Sequence, residues 1–400
     1  MTETWDLVVV GAGPAGASAA LAALHADPTL RVLLLDRADF PRDKCCGDGI
    51  APHVFDALAS VGVHGVQDGW APLEHLELAR GASTVAGPMA RPVWVIPREV
   101  FDARLVERAV AAGAVLARHR VARLELRDGT VVVDGLHAAR VLVGADGAHS
   151  VVRAWSRGAE TGRRALALRG YAPTPEHRRG TQVIRYGSRR QPAYAWAFDR
   201  GDGLSNVGYG ELLPGPGDGD APSRALLLDQ LEELLPGAAE GGTSWRGHHL
   251  PLSGWGWRHP AGQVLLTGDA AGLINPMTGE GIFYAVATGI HAGQAAVQAV
   301  ADGRPATAGT YYDRAVRRRL GVHLKHTWAA ARLAAVPAVV EAGIVAARRD
   351  RRSFDALVEL GLGDGRITPG LARGLAGSIV SGAISGVVSG VLPRSAVSGG

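Results

Sequence analysis

A β-branched run, DLVVV at 6–10, reads as a buried parallel strand. It passes directly into a glycine-rich turn, an alanine-rich stretch of helical length, and a second apolar strand, RVLLLD, that closes on Asp36. Two later apolar runs end in a similar way on a glycine and an acid: VLVGADGAHSVVR at 141–153 and VLLTGDAAGLINPMTGEGIFYA at 264–285. Between the first strands and these, IPREVFDARLVERAVAAGA (96–114) places apolar residues at 101, 105, 106, 109 and 110, which predicts an amphipathic helix. AYAWAFD (193–199) predicts a strand with Tyr194, Trp196 and Phe198 on one face, because side chains alternate with period two. GDGLSNVGYG then predicts a turn and a return strand. Past a helix at 278–302 the pattern stays helical and is broken at Pro337. The segment 374–392, GLAGSIVSGAISGVVSGVL, alternates small and aliphatic pairs on a four-residue beat. It reads either as a closing helix packed on the body or as a lid or shallow membrane-contact helix.

Composition narrows the class. A chain of 400 residues is too long for one ordinary core, so two domains, or one large α/β body with an insertion, are expected. Apolar residues at 47% and charged residues at 20% are ordinary for a globular protein. The net charge of +4 comes from scattered arginines, with Lys44 and Lys325 the only lysines, which leaves no organised nucleic-acid footprint. The two cysteines, Cys45 and Cys46, are adjacent and cannot build a disulfide scaffold, and the N-terminal residues show no secretory pattern. The expected location is therefore cytoplasmic, with any membrane association peripheral and through the C-terminal region. No strongly apolar run reaches the ~18 residues of a spanning helix.

The first thirty-six residues carry candidate chemistry. Gly11 permits a tight turn, Gly13 lets backbone approach a pyrophosphate, and Gly16 lets the helix pack on the strand. The helix start offers N–H groups and a positive dipole end, worth ~0.3–1 kcal/mol toward an anion. Asp36, 20 residues after Gly16, is placed to hold both hydroxyls of an adenosine ribose and disfavours a 2′-phosphate. Ala15 and Arg37 complete this group. Asp146 and the pair Gly268-Asp269 supply further strand-end carboxylates, and Gly279, Gly281 and Ile282 open the second helix, so two distant segments favour FAD over NAD. Arg98 either reaches back to cofactor phosphates or is a solvated arginine at a helix start.

The cysteine pair sits in FPRDKCCGDGI. Residue types alone leave several readings: a redox pair, half a metal site, a loop that happens to carry thiols, or a glycine-flanked loop beside a cofactor. No CxxC or HxxxH partners the pair, so no metal site is expected. The aromatic face of YAWAF is likewise either sheet core or pocket wall.

Taken together, these ordered segments resemble the two-domain FAD fold shared by aromatic hydroxylases, flavin halogenases and geranylgeranyl reductases. The resemblance implies an α/β protein with a Rossmann-type FAD-binding domain assembled from 1–75, 95–155 and 260–330. It further implies a β-rich substrate domain from 76–94 and 156–259, and a helical C-terminal region at 331–400. FPRDKCCGDGI resembles the FPRxKxCGxG signature of the geranylgeranyl reductase family, which places Cys46 on the family cysteine with Lys44 and Gly47 beside the cofactor. TGDAAGLINPMTGEGIFYA also resembles that family's version of the second FAD motif. AYAWAFD resembles its YxWxFP substrate motif through Tyr194, Trp196 and Phe198, departing at Asp199, which puts the pocket edge in question. The implied activity is delivery of hydride from reduced flavin to carbon–carbon double bonds of an apolar isoprenoid or related substrate. Cys46 is the implied catalytic residue and NAD(P)H the expected electron donor. The alternative is an FAD monooxygenase of a small aromatic or polyketide-like molecule. A halogenase would need a pocket lysine beyond Lys44, and a redox sensor would need both cysteines.

Overall fold

The computed structural model describes residues 2–158, 162–215 and 217–379. Its strands, in chain order, are β1 (Glu3–Val10), β2 (Val32–Asp36), β3 (Gly49–Ile50), β4 (Pro72–Arg80) and β5 (Ser83–Val95). β6 (Val115–Arg118), β7 (Leu124–Arg127), β8 (Thr130–Val133), β9 (His137–Gly144) and β10 (Arg164–Pro173) follow. The last are β11 (Thr181–Tyr186), β12 (Tyr194–Asp199), β13 (Leu204–Leu212), β14 (Thr243–Pro251) and β15 (Val264–Leu266). The helices are α1 (Pro14–Ala26), α2 (Pro52–Ala59), α3 (Arg98–Ala111), α4 (Val151–Arg157) and α5 (Arg224–Leu234). α6 (Ile282–Ala301), α7 (Ala308–Leu333), α8 (Pro337–Arg349) and α9 (Arg351–Leu362) follow, and residues 369–379 are helical as well.

Two sheets result. The first runs β6-β2-β1-β9-β8-β7 with β15 also on β9; its β6, β2, β1, β9 and β15 pair in parallel, while β7 and β8 form an antiparallel hairpin. The continuous apolar runs of β1, β2 and β9 are buried on both faces, as parallel strands between two layers must be. Leu7, Val9, Val32, Leu34, Val141 and Val143 face α1, α3 and α6. Val8, Val10, Leu33, Leu35 and Leu142 face Val131, Val133 and Val152 on the other side. Helix α6 lies on α1 with almost no side chain between: a Cβ on Gly289 would stand 2.2 Å from the Ala15 carbonyl oxygen, and one on Gly293 2.2 Å from that of Ala19. Glycine here sets how closely the two helices approach.

The second sheet runs β14-β10-β13-β12-β11-β4-β5-β3 and is mostly antiparallel, with β11 on β4 parallel. One face packs against α5 through Ala195, Ala197, Val207 and Leu231. Near β4 and β5 the other face packs against α8 and α9 through Leu76, Val85, Ile344 and Phe354. The helical break at Pro337 separates α7 from α8, as the sequence predicts. Most of the small-residue tail at 374–392 lies outside the described residues. Among the described residues, no single helix is long and apolar enough to cross a membrane.

Candidate active site

A cavity of about 820 Å³ runs between the two sheets, large for a small-molecule site. Of the residues that the sequence nominated, Gly11, Gly13, Ala15, Asp36, Arg37, Lys44, Cys46, Gly47, Arg98, Asp146, Asp269, Gly279, Gly281, Ile282, Tyr194, Trp196 and Phe198 all line it. Gly16 and Gly268 stand behind the wall instead. A Cβ on Gly16 would come 1.8 Å from the Gly11 carbonyl oxygen, and Gly268, at φ +54°, backs onto Ala15 and Ala285. Their contribution is close packing.

At one end β1 stops at Val10 and α1 begins at Pro14. Gly11 turns the chain at φ +99°, where a side chain would strike Ala145 at 2.4 Å. Gly13 faces open space: a Cβ there would meet only the guanidinium tips of Arg42 and Arg98, at 3.5 and 3.9 Å. The α1 N-terminus has no side-chain cap and no acid in its first turn. The Asp36 carboxylate accepts from Ala12 N at 2.8 Å and Ala38 N at 2.9 Å, so it steadies the glycine loop while facing the cavity. Asp146 accepts from Ser150 Oγ and from Val151 N at 2.7 Å, which makes it the acid that starts α4.

Arg98 is not the solvated arginine of one sequence reading. It is 4% exposed and forks onto Asp102 at 2.6 and 2.7 Å, and Asp102 also holds Arg42 at 3.1 Å. Two cations on one fully buried carboxylate leave a net positive charge beside the glycine loop. That is an anion-binding balance.

The middle of the cavity is the Lys44–Gly49 loop. Lys44 Nζ sits 3.2 Å from Asp269 Oδ2. Burial pushes the Asp269 carboxyl up, but the Lys44 ammonium and His248 outweigh it and hold it below the usual range. Burial, then Lys44, pushes His248 down to about 4. Both thiols are free, and Cys45 Sγ donates to the Arg246 carbonyl at 3.0 Å, turned away from Cys46's setting. Burial pushes the Cys46 thiol up and the Cys45 thiol up to about 12, so neither is a ready thiolate. Among the described residues, no group of three or more His, Cys, Asp or Glu could hold a metal ion.

The far wall is β12. Tyr194, Trp196 and Phe198 form a row with centroid separations of 6.0 and 6.4 Å, while Ala195 and Ala197 on the opposite face pack toward α5. Alternation thus settles the open choice between core and pocket wall: the aromatics line the cavity. Asp199 falls on the alanine side, where it accepts from Gly180 N at 2.7 Å and Gly201 N at 3.0 Å. The departure from the family motif stabilises a turn and does not reach the cavity lining.

Several residues were missed by sequence reasoning. Arg42 and Asp102 complete the Arg98 pair; the Arg98–Asp102 spacing of four on one helix was the available signal. Asn206 is fully buried and binds both walls together: it accepts from Trp196 Nε1 at 2.9 Å and donates to the Cys46 carbonyl and to Asp48, each at 2.8 Å. Asp48 also accepts from the Tyr171 hydroxyl, adopts φ +58°, and burial pushes it up to about 6. Glu280, between Gly279 and Gly281, lines the cavity and accepts from Phe283 N at 2.8 Å. Burial pushes its carboxyl up to about 7. Lys325 lies over the Trp255 ring and does not line the cavity, so Lys44 is the one lysine there.

No family model matches the chain. The menaquinone reductase of Mycolicibacterium smegmatis is 32% identical over 321 residues, covering 72% of this chain and 75% of that one. The digeranylgeranylglycerophospholipid reductase 1 of Methanopyrus kandleri is 34% identical over 332 residues, covering 74% of this chain and 81% of that one. Among solved structures, a geranylgeranyl bacteriochlorophyll reductase-like protein from Thermoplasma acidophilum superposes with a TM-score of 0.74 at 20% identity, covering 96% of this chain and all of that one.

Proposed function

The chain belongs to the geranylgeranyl reductase family of FAD-dependent oxidoreductases, and on that footing we propose that it saturates carbon–carbon double bonds of an apolar, isoprenoid-type substrate. The observation that carries this reading is the continuity of one cavity from the uncapped start of α1, past the Cys46 loop, to the Tyr194–Trp196–Phe198 row. A charged, elongated cofactor fits the first part, and a flexible apolar chain fits the second. The relatives' names support the substrate class, since both are reductases whose names denote isoprenoid compounds.

The residues present fit FAD. Gly11, Gly13, Ala15 and the α1 N-terminus would hold its pyrophosphate, with Arg98 and Arg42 neutralising charge and Asp36 and Arg37 at the adenosine end. Lys44, Gly47, Asp146, Asp269, Gly279, Gly281 and Ile282 would surround the remainder, against the second helix start at α6. When bound, FAD supplies a hydride, which it receives in our reading from NAD(P)H. The protein's own task is to exclude water and fix the alkene. Trp196 and Phe198 present apolar faces, and Asn206 locks the Cys46 loop against them. Cys46, kept as a neutral thiol by burial, shapes the space where substrate meets cofactor.

Peripheral membrane contact also belongs to this proposal. Trp255 is 50% exposed and meets Trp328 edge-on at 5.2 Å, with Lys325 and Arg332 over the two rings and Leu333 and Val336 exposed further along the same chain segment. Tryptophan with cations is the composition of a lipid interface.

The test is anaerobic. FAD-loaded protein reduced with dithionite is given geranylgeranyl diphosphate or a polyprenyl quinone, and mass spectrometry reads the addition of hydrogen pairs. Unchanged alkenes there, together with oxygen uptake in a separate aerobic assay driven by NAD(P)H and a small aromatic molecule, would replace this reading with the monooxygenase.

A further inference from the structure

Saturating an alkene requires a proton as well as a hydride, and the side chains around the Cys46 loop that can carry one are Asp48, Cys46, Tyr194 and Glu280. Three are poorly suited: the Asp48 carboxyl is tied up by the Tyr171 hydroxyl and the Asn206 amide, both of which favour its charged form. The Cys46 thiol is made a weaker acid by burial, and the Tyr194 phenol gives its hydrogen to the Thr278 carbonyl. The fourth is Glu280, which lines the cavity on the turn before α6, between Gly279 and Gly281.

Behind Glu280 lies His53 on α2, close enough to act on its charge. The His53 ring is fixed edge-on to Phe283 at 5.8 Å. Its Nε2 meets Glu359 Oε2 on α9 at 2.9 Å, and its Nδ1 is buried with no hydrogen-bond partner. The Glu359 side chain is 39% exposed. Glu280 and His53 thus meet at Phe283, Glu280 on the Phe283 backbone N–H and His53 on the Phe283 ring, and Glu359 carries His53 on to the surface.

We propose that Glu280 hands the proton to the substrate and that His53 and Glu359 return it from solvent. This rests on the reductase reading. The carbon–carbon π bond breaks; one carbon gains hydride from the reduced flavin and the other takes the Glu280 proton. The carboxylate left behind is reprotonated through His53. The two electrons come from the flavin, which the nicotinamide donor reduces again. The charged and titratable groups facing Glu280 are His53 from α2, Arg98 from α3, Cys46 from the loop before β3, Tyr194 from β12 and Tyr284 from α6 itself. Burial disfavours the charged form and pushes the carboxyl up to about 7, so a neutral fraction persists at neutral pH, although backbone N–H groups, His53 and Arg98 favour the charged form.

Infrared titration of the apoprotein tests the acid without any turnover. Wild type should show a carboxyl band lost as pH rises through about 7, and E280Q should lack that band while keeping the one Asp48 loses near 6. With FAD loaded and reduced, mixing with geranylgeranyl diphosphate should reoxidise flavin roughly 100-fold more slowly in E280Q, with partial rescue in E280D. The wild-type single-turnover rate should fall as pH rises through the same range, and that dependence should vanish in E280Q. H53A should spare the first turnover and slow later ones. A wild-type-like rate or pH profile in E280Q, or a carboxyl band titrating near 7 that survives the substitution, would overturn the donor while leaving the reductase standing. If wild-type protein saturates no alkene, the reductase reading falls and the donor with it.

Discussion

Of the helices that begin at this cavity, α1 and α6 begin differently. α1 follows a glycine turn, carries no acid in its first turn and has no side chain on its free N–H groups. α6 also follows a glycine turn, but its own Glu280 reaches the Phe283 N–H at 2.8 Å. Around α1 the charges are resolved and fixed, with Arg98 and Arg42 on Asp102. Around α6 lie protonatable groups that burial drives toward their neutral forms: Glu280, Asp48, Cys46 and Tyr194. A helix start that keeps its dipole open suits a permanent anion; one answered by a nearly neutral acid suits a proton that must leave and return. The close approach of α6 to α1 at Gly289 and Gly293 holds the two ends in one rigid frame.

The largest break in this contrast is at the fixed end. Arg98→Ala leaves the fully buried Asp102 with only Arg42, and a buried carboxylate losing its bidentate partner costs about 3–5 kcal/mol. Urea unfolding of the apoprotein reads this directly, and Asp102→Asn in the same background should recover part of the loss. Close behind comes Gly13→Asp. The backbone there has φ −69°, which any residue adopts, and the new Cβ meets only flexible arginine tips. Stability should hold while a carboxylate faces the cofactor phosphates. Flavin retention should fall roughly 100-fold, since like charges there cost several kcal/mol. Unchanged flavin absorbance in purified Gly13→Asp protein would move the phosphate away from α1.

How much of this was legible beforehand follows the range of the interactions. The glycine turn, Asp36 and the alternating aromatics announce themselves because each is a constraint within a few residues: a positive φ, a strand end, a period of two. Arg98 with Asp102 was legible in principle from their spacing of four, but Arg42's place on the same carboxylate was not, because α3 and the loop before β3 meet only in the folded chain. The same holds for Asn206, whose three hydrogen bonds reach residues 46, 48 and 196. Glu280 stood inside the quoted TGEG motif, yet its neighbours His53, Cys46 and Tyr194 come from three other elements, so nothing local marked it as more than a helix-start acid.

A gentler probe sits at the aromatic wall. Phe198 is half-buried, and its ring edge lies where a Cβ on Gly47 would come within 3.5 Å. Phe198→Ala widens the cavity without touching the α1 end. KM for a polyprenyl substrate should rise about 10-fold, equivalent to ~1.4 kcal/mol of lost apolar contact, with flavin retention unchanged. A loss of flavin instead of a rise in KM would show that the two ends are not separate in function.

The smallest effect separates the adjacent cysteines. Cys45 points at the Arg246 carbonyl, with Arg169 the first charge to act on it, whereas Cys46 is acted on first by Arg98 and also by Glu280. Serine at 45 keeps a donor for the Arg246 carbonyl and changes little volume, so Cys45→Ser should stay within about 0.5 kcal/mol of wild type and turn over normally. Serine at 46 places a hydroxyl in a buried space built around a weakly polar thiol, next to the alkene in the proposed reaction, and should slow turnover measurably. Equal kinetics for the two single variants would return the pair to the status of loop thiols. A matching loss at both would point to a redox couple, which the divergent surroundings of the two side chains argue against.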